Sequence, residues 1–231
     1  MERLDDLVVH GLKIYQDDAL FRFGTDAVLL ADFIRERRYN NAVDLCSGNG
    51  VIPLLLSHGC KGKIVGVEIS EKAFLLAEKS AEYNGLSEKI SFINADVRKI
   101  NTKESPLCAS AFDLVSVNPP YYAENSGFVA DGERGNARTE EEGLLEEIIK
   151  AAGRLLKSGG RLCMINRAER LCDVMFLMRK YKVEPKIMKL AETSESRPAS
   201  LFLIEGRKDA KPGLLFEKPY LLYKNRPYEN L

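Results

Sequence analysis

The chain has 231 residues, 45% of them hydrophobic and 29% charged, with 34 basic and 34 acidic side chains and a formal net charge of zero. That balance excludes a disordered or collagen-like chain, and a neutral chain is not one that holds nucleic acid by charge alone. The length suits one well-buried domain, expected to divide into an N-terminal segment and helix over 1–40, a core over 41–207 and a tail over 208–231.

No apolar run approaches the ~18–20 residues of a membrane-crossing helix. Met1-Glu2-Arg3-Leu4-Asp5-Asp6 lacks the basic-then-apolar order of a signal peptide, so a cytoplasmic location is expected. Cys46, Cys60, Cys108, Cys163 and Cys172 are scattered without a CxxC, and only His10 and His58 could join them as ligands. Reduced thiols and no metal are therefore expected, and no GxSxG elbow supports a nucleophile paired with His58. Residues 1–160 carry 19 Lys and Arg against 25 Asp and Glu, whereas residues 161–231 carry 15 against 9. The C-terminal part thus offers either a basic face for an anionic partner or chance unevenness of a solvated surface.

The elements alternate. Ala42–Cys46 reads as a short buried strand, followed by a glycine turn and a helical run over Val51–Ser57. Lys63–Glu68 is a second strand, and Ser70 caps a helix whose apolar Ala73, Phe74, Ala77 and Ala81 share one face before Asn84-Gly85 ends it. Ile90–Asn94 and Ala111–Val117 are the third and fourth strands. Glu124–Arg138 is the long polar loop, and Thr139-Glu140-Glu141-Glu142 is a capping box that opens the next helix. Lys157-Ser158-Gly159-Gly160 stops that helix, Arg161–Ile165 is a fifth strand, and Pro185–Leu190 with Ser200–Glu205 form an antiparallel edge pair. The expected architecture is α/β: a seven-stranded, mostly parallel, Rossmann-like sheet with an antiparallel C-terminal edge and helices on both faces.

Four polar signals fall at the carboxyl ends of successive strands, the edge where an open parallel sheet binds ligands. Asp44 with Ser47-Gly48-Asn49-Gly50 supplies a tight turn that a ligand can approach closely. Glu68, 20 residues after Gly48, can accept from both ribose hydroxyls of an adenosine-bearing cofactor, with Ile69 beside it. Asp96, followed by Val97, can accept from an adenine amino group. So far either a dinucleotide or S-adenosylmethionine fits. The GxGxxG fingerprint fails because Pro53 stands at its third glycine, and no GKS or GKT phosphate loop occurs.

Asn118-Pro119-Pro120-Tyr121-Tyr122 decides between them. An exocyclic amine is a poor nucleophile because its lone pair is delocalised into the ring. Two acceptors that grip its hydrogens, the Asn118 side-chain oxygen and the Pro119 carbonyl, can bring the lone pair forward, while Tyr121 offers a face for the base. Catalysis is then mainly alignment for in-line attack, without a general base of shifted pKa.

On these residues the chain resembles the class I S-adenosylmethionine-dependent methyltransferases with the N/D-P-P-Y/F/W motif, which methylate amino groups, over about residues 20–207. Cys46 departs from the glycine usual at the start of their turn. Phe23-Gly24-Thr25-Asp26-Ala27-Val28-Leu29-Leu30, Arg138-Thr139-Glu140 and Arg197-Pro198-Ala199 further resemble the bacterial tRNA adenine-N6 methyltransferases that act on adenine-37 of a valine tRNA. The resemblance implies S-adenosylmethionine as cofactor, held by Thr25, Asp26, Asp44, Ser47, Gly48, Asn49, Gly50, Glu68, Ile69, Asp96, Val97 and Asn118. It implies Asn118, Pro119 and Tyr121 as the catalytic group, and Tyr121, Tyr122 and Arg138 at an RNA substrate. Arg134, Arg138 and the basic C-terminal part are expected to contact phosphates. The tail, with Tyr220, Tyr223 and Tyr228, is expected to pack on the core.

Other substrates of the same chemistry are a ribosomal RNA, DNA adenine and a glutamine amide of a peptide release factor. The last two are disfavoured because there is little room for a target-recognition domain, or for a helical domain ahead of residue 42. A non-catalytic cofactor- or RNA-binding module and a nicotinamide dehydrogenase are the remaining alternatives.

Overall fold

The computed structural model describes residues 1–7, 10–18, 20, 24–35, 39–120, 131–194 and 196–222, with the backbone alone over 131–142. The described chain runs β1 (Glu2–Asp6), β2 (Lys13–Asp17), α1 (Thr25–Arg35), β3 (Ala42–Leu45), α2 (Val51–Leu56), β4 (Ile64–Glu68), α3 (Glu71–Tyr83), β5 (Ile90–Asn94) and α4 (Val97–Ile100). It continues through β6 (Phe112–Val117), α5 (Asp131–Leu155), β7 (Leu156–Arg167), a 3-10 turn, α6 (Leu171–Lys180), β8 (Val183–Glu192), β9 (Leu201–Lys208), β10 (Leu215–Phe216) and β11 (Tyr220–Leu221).

One sheet carries strands in the order β10-β8-β9-β7-β6-β3-β4-β5, with β11 also on β8. The pairs from β5 through β7 are parallel, and β9 runs antiparallel to both β7 and β8. Side chains of β3 alternate between the two faces. Ala42 joins Leu30, Ile34 and Leu54 under α1 and α2, while Val43 and Leu45 join Ile148, Ile149 and Met178 under α5 and α6. Strands buried on both faces read as continuous apolar runs, which is why they stood out in the sequence.

Three expectations are corrected here. The sheet has nine strands rather than seven, because the two-residue β10 and β11 add in parallel outside β8, and β1 and β2 make a separate antiparallel hairpin. The antiparallel pair is therefore not the outermost edge. Elements of two residues carry no periodicity to detect, and the largely exposed β1 shows no alternation.

The second correction concerns Thr139. It lies inside α5, which starts eight residues earlier at Asp131, so it is not the N-cap, and positions 131–138 are helical rather than loop. Two glycines and an asparagine in that stretch disfavour helix. Extending a helix already anchored by Leu145, Ile148 and Ile149 is nonetheless far easier than nucleating one. Third, Lys157-Ser158-Gly159-Gly160 lies within the bounds of β7 as an irregularity, with Gly159 at φ +76° and a register shift against β6.

Part of the tail packs as expected. Tyr220 Oη donates to Asp32 Oδ2 at 2.6 Å, and the Lys189 ammonium sits 3.7 Å above its ring. Tyr223 and Tyr228 lie outside the described residues. Among the described residues no helix is long and apolar enough to cross a membrane.

Gly66 in β4 fixes how closely β5 and the turn after β3 approach. A Cβ there would lie 2.4 Å from Phe92 Cδ1 and 2.7 Å from Ser47 Oγ. Gly66→Ala is expected to lower stability by about 1–3 kcal/mol through overpacking, read as a fall in the denaturation midpoint. An unchanged midpoint would show that the Phe92 ring yields freely.

Candidate active site

The carboxyl ends of β3, β4, β5 and β6 open on one cavity of about 500 Å³, ample for a nucleoside-sized ligand. Since β3 has β4 on one side and β6 on the other, the cavity sits where the strand order reverses. Cys46, Ser47, Gly48 and Asn49 line it from the first strand end, Glu68, Ile69 and Ser70 from the second, Asp96, Val97 and Arg98 from the third, and Asn118, Pro119 and Pro120 from the fourth. Asp17, Leu20 and Asp26 close it from the N-terminal side.

The turn after β3 bends through left-handed conformations at Cys46 (φ +60°), Gly48 (+54°) and Gly50 (+83°). Cys46 thus occupies a backbone region that glycine favours. A Cβ on Gly48 would meet nothing within 4 Å, so this residue leaves its backbone open to a ligand. A Cβ on Gly50 would come within 2.8 Å of Phe92 Cζ, so Gly50 serves packing and does not line the cavity. Desolvation of the half-buried Cys46 thiol, with the carboxylates of Glu68, Asp44 and Asp96, pushes it upward in pKa and keeps it a poor nucleophile.

Glu68 does more than end β4. The Gly48 N–H donates to its Oε2 at 2.7 Å and the Ser70 N–H donates to its Oε1 at 2.8 Å. A single carboxylate therefore ties the glycine turn to the start of α3, which Ser70 caps by accepting from the Ala73 N–H. Each oxygen retains further acceptor capacity. Ile69 beside it is 63% exposed, an uncovered apolar side chain on the cavity wall.

Asp96 sits on the wall but is engaged. It caps α4 by accepting from the Arg98 N–H at 2.9 Å and pairs with Arg98 Nη2 at 2.5 Å. That side-chain bond holds its carboxyl below the usual range.

Asp44 is fully buried beneath the turn, outside the cavity lining, with Oδ1 accepting from Ser116 Oγ at 2.6 Å. Among the described residues its Oδ2 and the buried Ser47 Oγ have no hydrogen-bond partner. Burial, reinforced by Glu68 and opposed by the Ser116 hydrogen bond, pushes its carboxyl from 3.8 to about 7. The unfolded chain releases this proton first, so the native state binds more protons between those values and loses stability as pH rises through that window. At about 1.4 kcal/mol per unit the whole span is on the order of 4 kcal/mol. The unfolding free energy of Asp44→Asn relative to the wild-type chain is thus expected to rise from pH 4 to pH 7 by denaturant titration. A constant difference would remove Asp44 as the titrating group.

Asn118 follows β6 and donates through Nδ2 to Asp26 Oδ2 at 3.2 Å. Pro119 is buried and Pro120 exposed. Thr25, the exposed first residue of α1, does not line the cavity. Tyr121 and Tyr122 lie outside the described residues, as does the side chain of Arg138. His58 is likewise not a wall residue: its ring stacks on His10 at 4.1 Å between centroids. Sequence reasoning missed Asp17, Leu20 and Arg98. For Asp17 the available signal was the buried alternation of Ile14 and Gln16 in β2; Leu20 carried none.

The fold is that of Rossmann-like methyltransferases. A structure of a predicted O-methyltransferase from Agrobacterium tumefaciens superposes with a TM-score of 0.69 at 23% identity, covering 86% of this chain and 88% of that one. A Thermus thermophilus 16S ribosomal RNA guanine-N2 methyltransferase, solved with S-adenosylmethionine and guanosine, gives a TM-score of 0.60 at 16% identity over 90% of this chain and 50% of its own. A family model described as the methyltransferase small domain matches residues 22–184, and the chain belongs to that family. Among its relatives is a Porphyromonas gingivalis protein named tRNA1(Val) (adenine(37)-N6)-methyltransferase, 31% identical over 175 residues that span 74% of this chain and 68% of that one.

Proposed function

We propose that this methyltransferase uses S-adenosylmethionine to methylate the exocyclic N6 of an adenine in tRNA. The observation that carries the reading is the placement of Asn118-Pro119-Pro120 on the wall of the same cavity as Glu68 and the glycine turn. The name of the Porphyromonas gingivalis relative supports the choice of tRNA.

The residues present fit the cofactor. Glu68 has acceptor capacity for the ribose hydroxyls, Gly48 leaves an open backbone, Ile69 and Val97 give apolar walls for a flat base, and Asp17 adds a carboxylate for an ammonium group. When bound, S-adenosylmethionine supplies an electrophilic methyl group on a positively charged sulfur.

The chain's own contribution is position. The Asn118 Oδ1 and the Pro119 carbonyl would accept from the two amino hydrogens of the target and turn its nitrogen lone pair toward the methyl donor; the N–C bond would form as the sulfur–methyl bond breaks, the electron pair staying on sulfur in the neutral S-adenosylhomocysteine that leaves. The surplus proton leaves the product nitrogen for solvent. Tyr121, the next residue after Pro120, is assigned the stacking face for the base. A loop base reaches such a site at low cost because it is already weakly stacked.

Incubation with methyl-labelled S-adenosylmethionine and separately purified unmodified tRNA, ribosomal RNA and a release-factor protein tests the substrate. Label is expected in tRNA alone. Label in ribosomal RNA or protein would keep the chemistry and overturn the substrate.

A further inference from the structure

We infer that Asp26 is a positioning residue that sets which end of the Asn118 amide faces the substrate; this rests on the amine-methylating reading above. An asparagine side chain can present either an acceptor oxygen or a donor NH2, and for gripping an amine only the oxygen works. A donor turned toward the target amine would meet its N–H groups head on. The Asp26 carboxylate, 3.2 Å from Asn118 Nδ2, removes the ambiguity. An ionised carboxylate can only accept, so the nitrogen must point at it and the oxygen must point the other way.

The segment around Asp26 is built to hold that carboxylate in place. Its Oδ1 accepts from the Ala27 N–H at 3.0 Å at the start of α1, which leaves Oδ2 for Asn118. Gly24 makes room for it, since a Cβ on Gly24 would lie 2.6 Å from Asp26 Oδ1. Farther along α1, Asp32 is tied to Tyr220 at 2.6 Å, so the helix that carries Asp26 is anchored to the outer strands of the sheet. Thr25, between the two, is exposed. Gly24 and Asp26 are thereby explained as a pair: space, and an oriented acceptor.

The test exchanges the two chemistries. Asp26→Asn replaces an acceptor-only partner by an amide that can present either end to Asn118, and is expected to lower kcat by about ten- to a hundredfold, the worth of one charge-assisted hydrogen bond. The affinity for S-adenosylhomocysteine should stay within a few-fold. Asn118→Asp alone sets two carboxylates against each other and is also expected to be impaired. In the double variant Asp26→Asn/Asn118→Asp, the new amide donates to the new carboxylate, whose second oxygen still faces the substrate. Its kcat is expected to recover well above the product of the two single losses, an interaction that a merely structural role would not produce. Losses that simply multiply would overturn the inference, as would a drop in cofactor affinity equal to the drop in kcat.

A second measurement does not depend on activity. The 15N-labelled side-chain NH2 resonance of Asn118, assigned by its disappearance in Asn118→Asp, should shift markedly in Asp26→Ala. An unmoved resonance would contradict the contact. A wild-type chain that methylates no adenine, yet shows the shift, would leave the contact standing and remove the amine reading instead.

Discussion

Asn118→Ala is expected to lower the rate of methyl transfer by at least about 10²–10³-fold, the loss seen when one preorganised group facing the reacting atoms is removed. The effect should fall on kcat. The Asn118 oxygen is assigned to the target amine, so affinity for S-adenosylhomocysteine is expected to change by no more than a few-fold. The physical reason is that a planar aromatic amine has little nucleophilicity of its own, and alignment is nearly all the chain supplies. Single-turnover rates with saturating cofactor and RNA measure this directly. A rate within tenfold of the wild type would mean that the amide does not touch the amine.

Glu68→Gln is expected to weaken cofactor binding by roughly 10²-fold or more. One carboxylate oxygen accepts from the Gly48 N–H and the other from the Ser70 N–H, at 2.7 and 2.8 Å. A glutamine has only one oxygen, so one of those backbone groups would lose its acceptor and face an NH2. Hydrogen bonds to charged groups are worth about 1.5–3 kcal/mol each, and the change disturbs the turn as well as any contact to ribose. Calorimetric titration with S-adenosylhomocysteine should show the loss, together with a lower melting temperature of the free protein. Affinity lost with an unchanged melting temperature would separate a ligand contact from the tie between turn and helix. Neither changing would remove Glu68 from the site.

Much of this was legible in the sequence. β3 to β6 and their helices stood out because strands covered on both faces are almost wholly apolar, and because Ser70 and Asn84-Gly85 mark the limits of α3 chemically. The strand-end residues followed, since in a parallel sheet every strand delivers its last residues to the same edge. What the sequence did not show was how two elements far apart in the chain meet. Asp26 reaches Asn118 across 92 residues, and Glu68 reaches Gly48 across 20. The hairpin of β1 and β2 was missed for a related reason. Its hold on the site comes from contacts such as Asn49 Nδ2 donating to the Tyr15 carbonyl at 3.3 Å and the Tyr15 N–H donating to Ser80 Oγ at 2.9 Å, and neither leaves a pattern along the chain. Gly24, Gly50 and Gly66 look alike as letters, yet one makes space for a carboxylate and the other two for the Phe92 ring or its neighbours.

The central claim is that the acceptor atom is the exocyclic nitrogen of adenine. Digestion of tRNA methylated by the wild-type chain, with the labelled nucleoside identified by chromatography and mass, tests it most directly. N6-methyladenosine as the sole labelled nucleoside, absent when Asn118→Ala replaces the wild type, is the result this account predicts. Label in a ring-nitrogen, ribose or guanine product would contradict it.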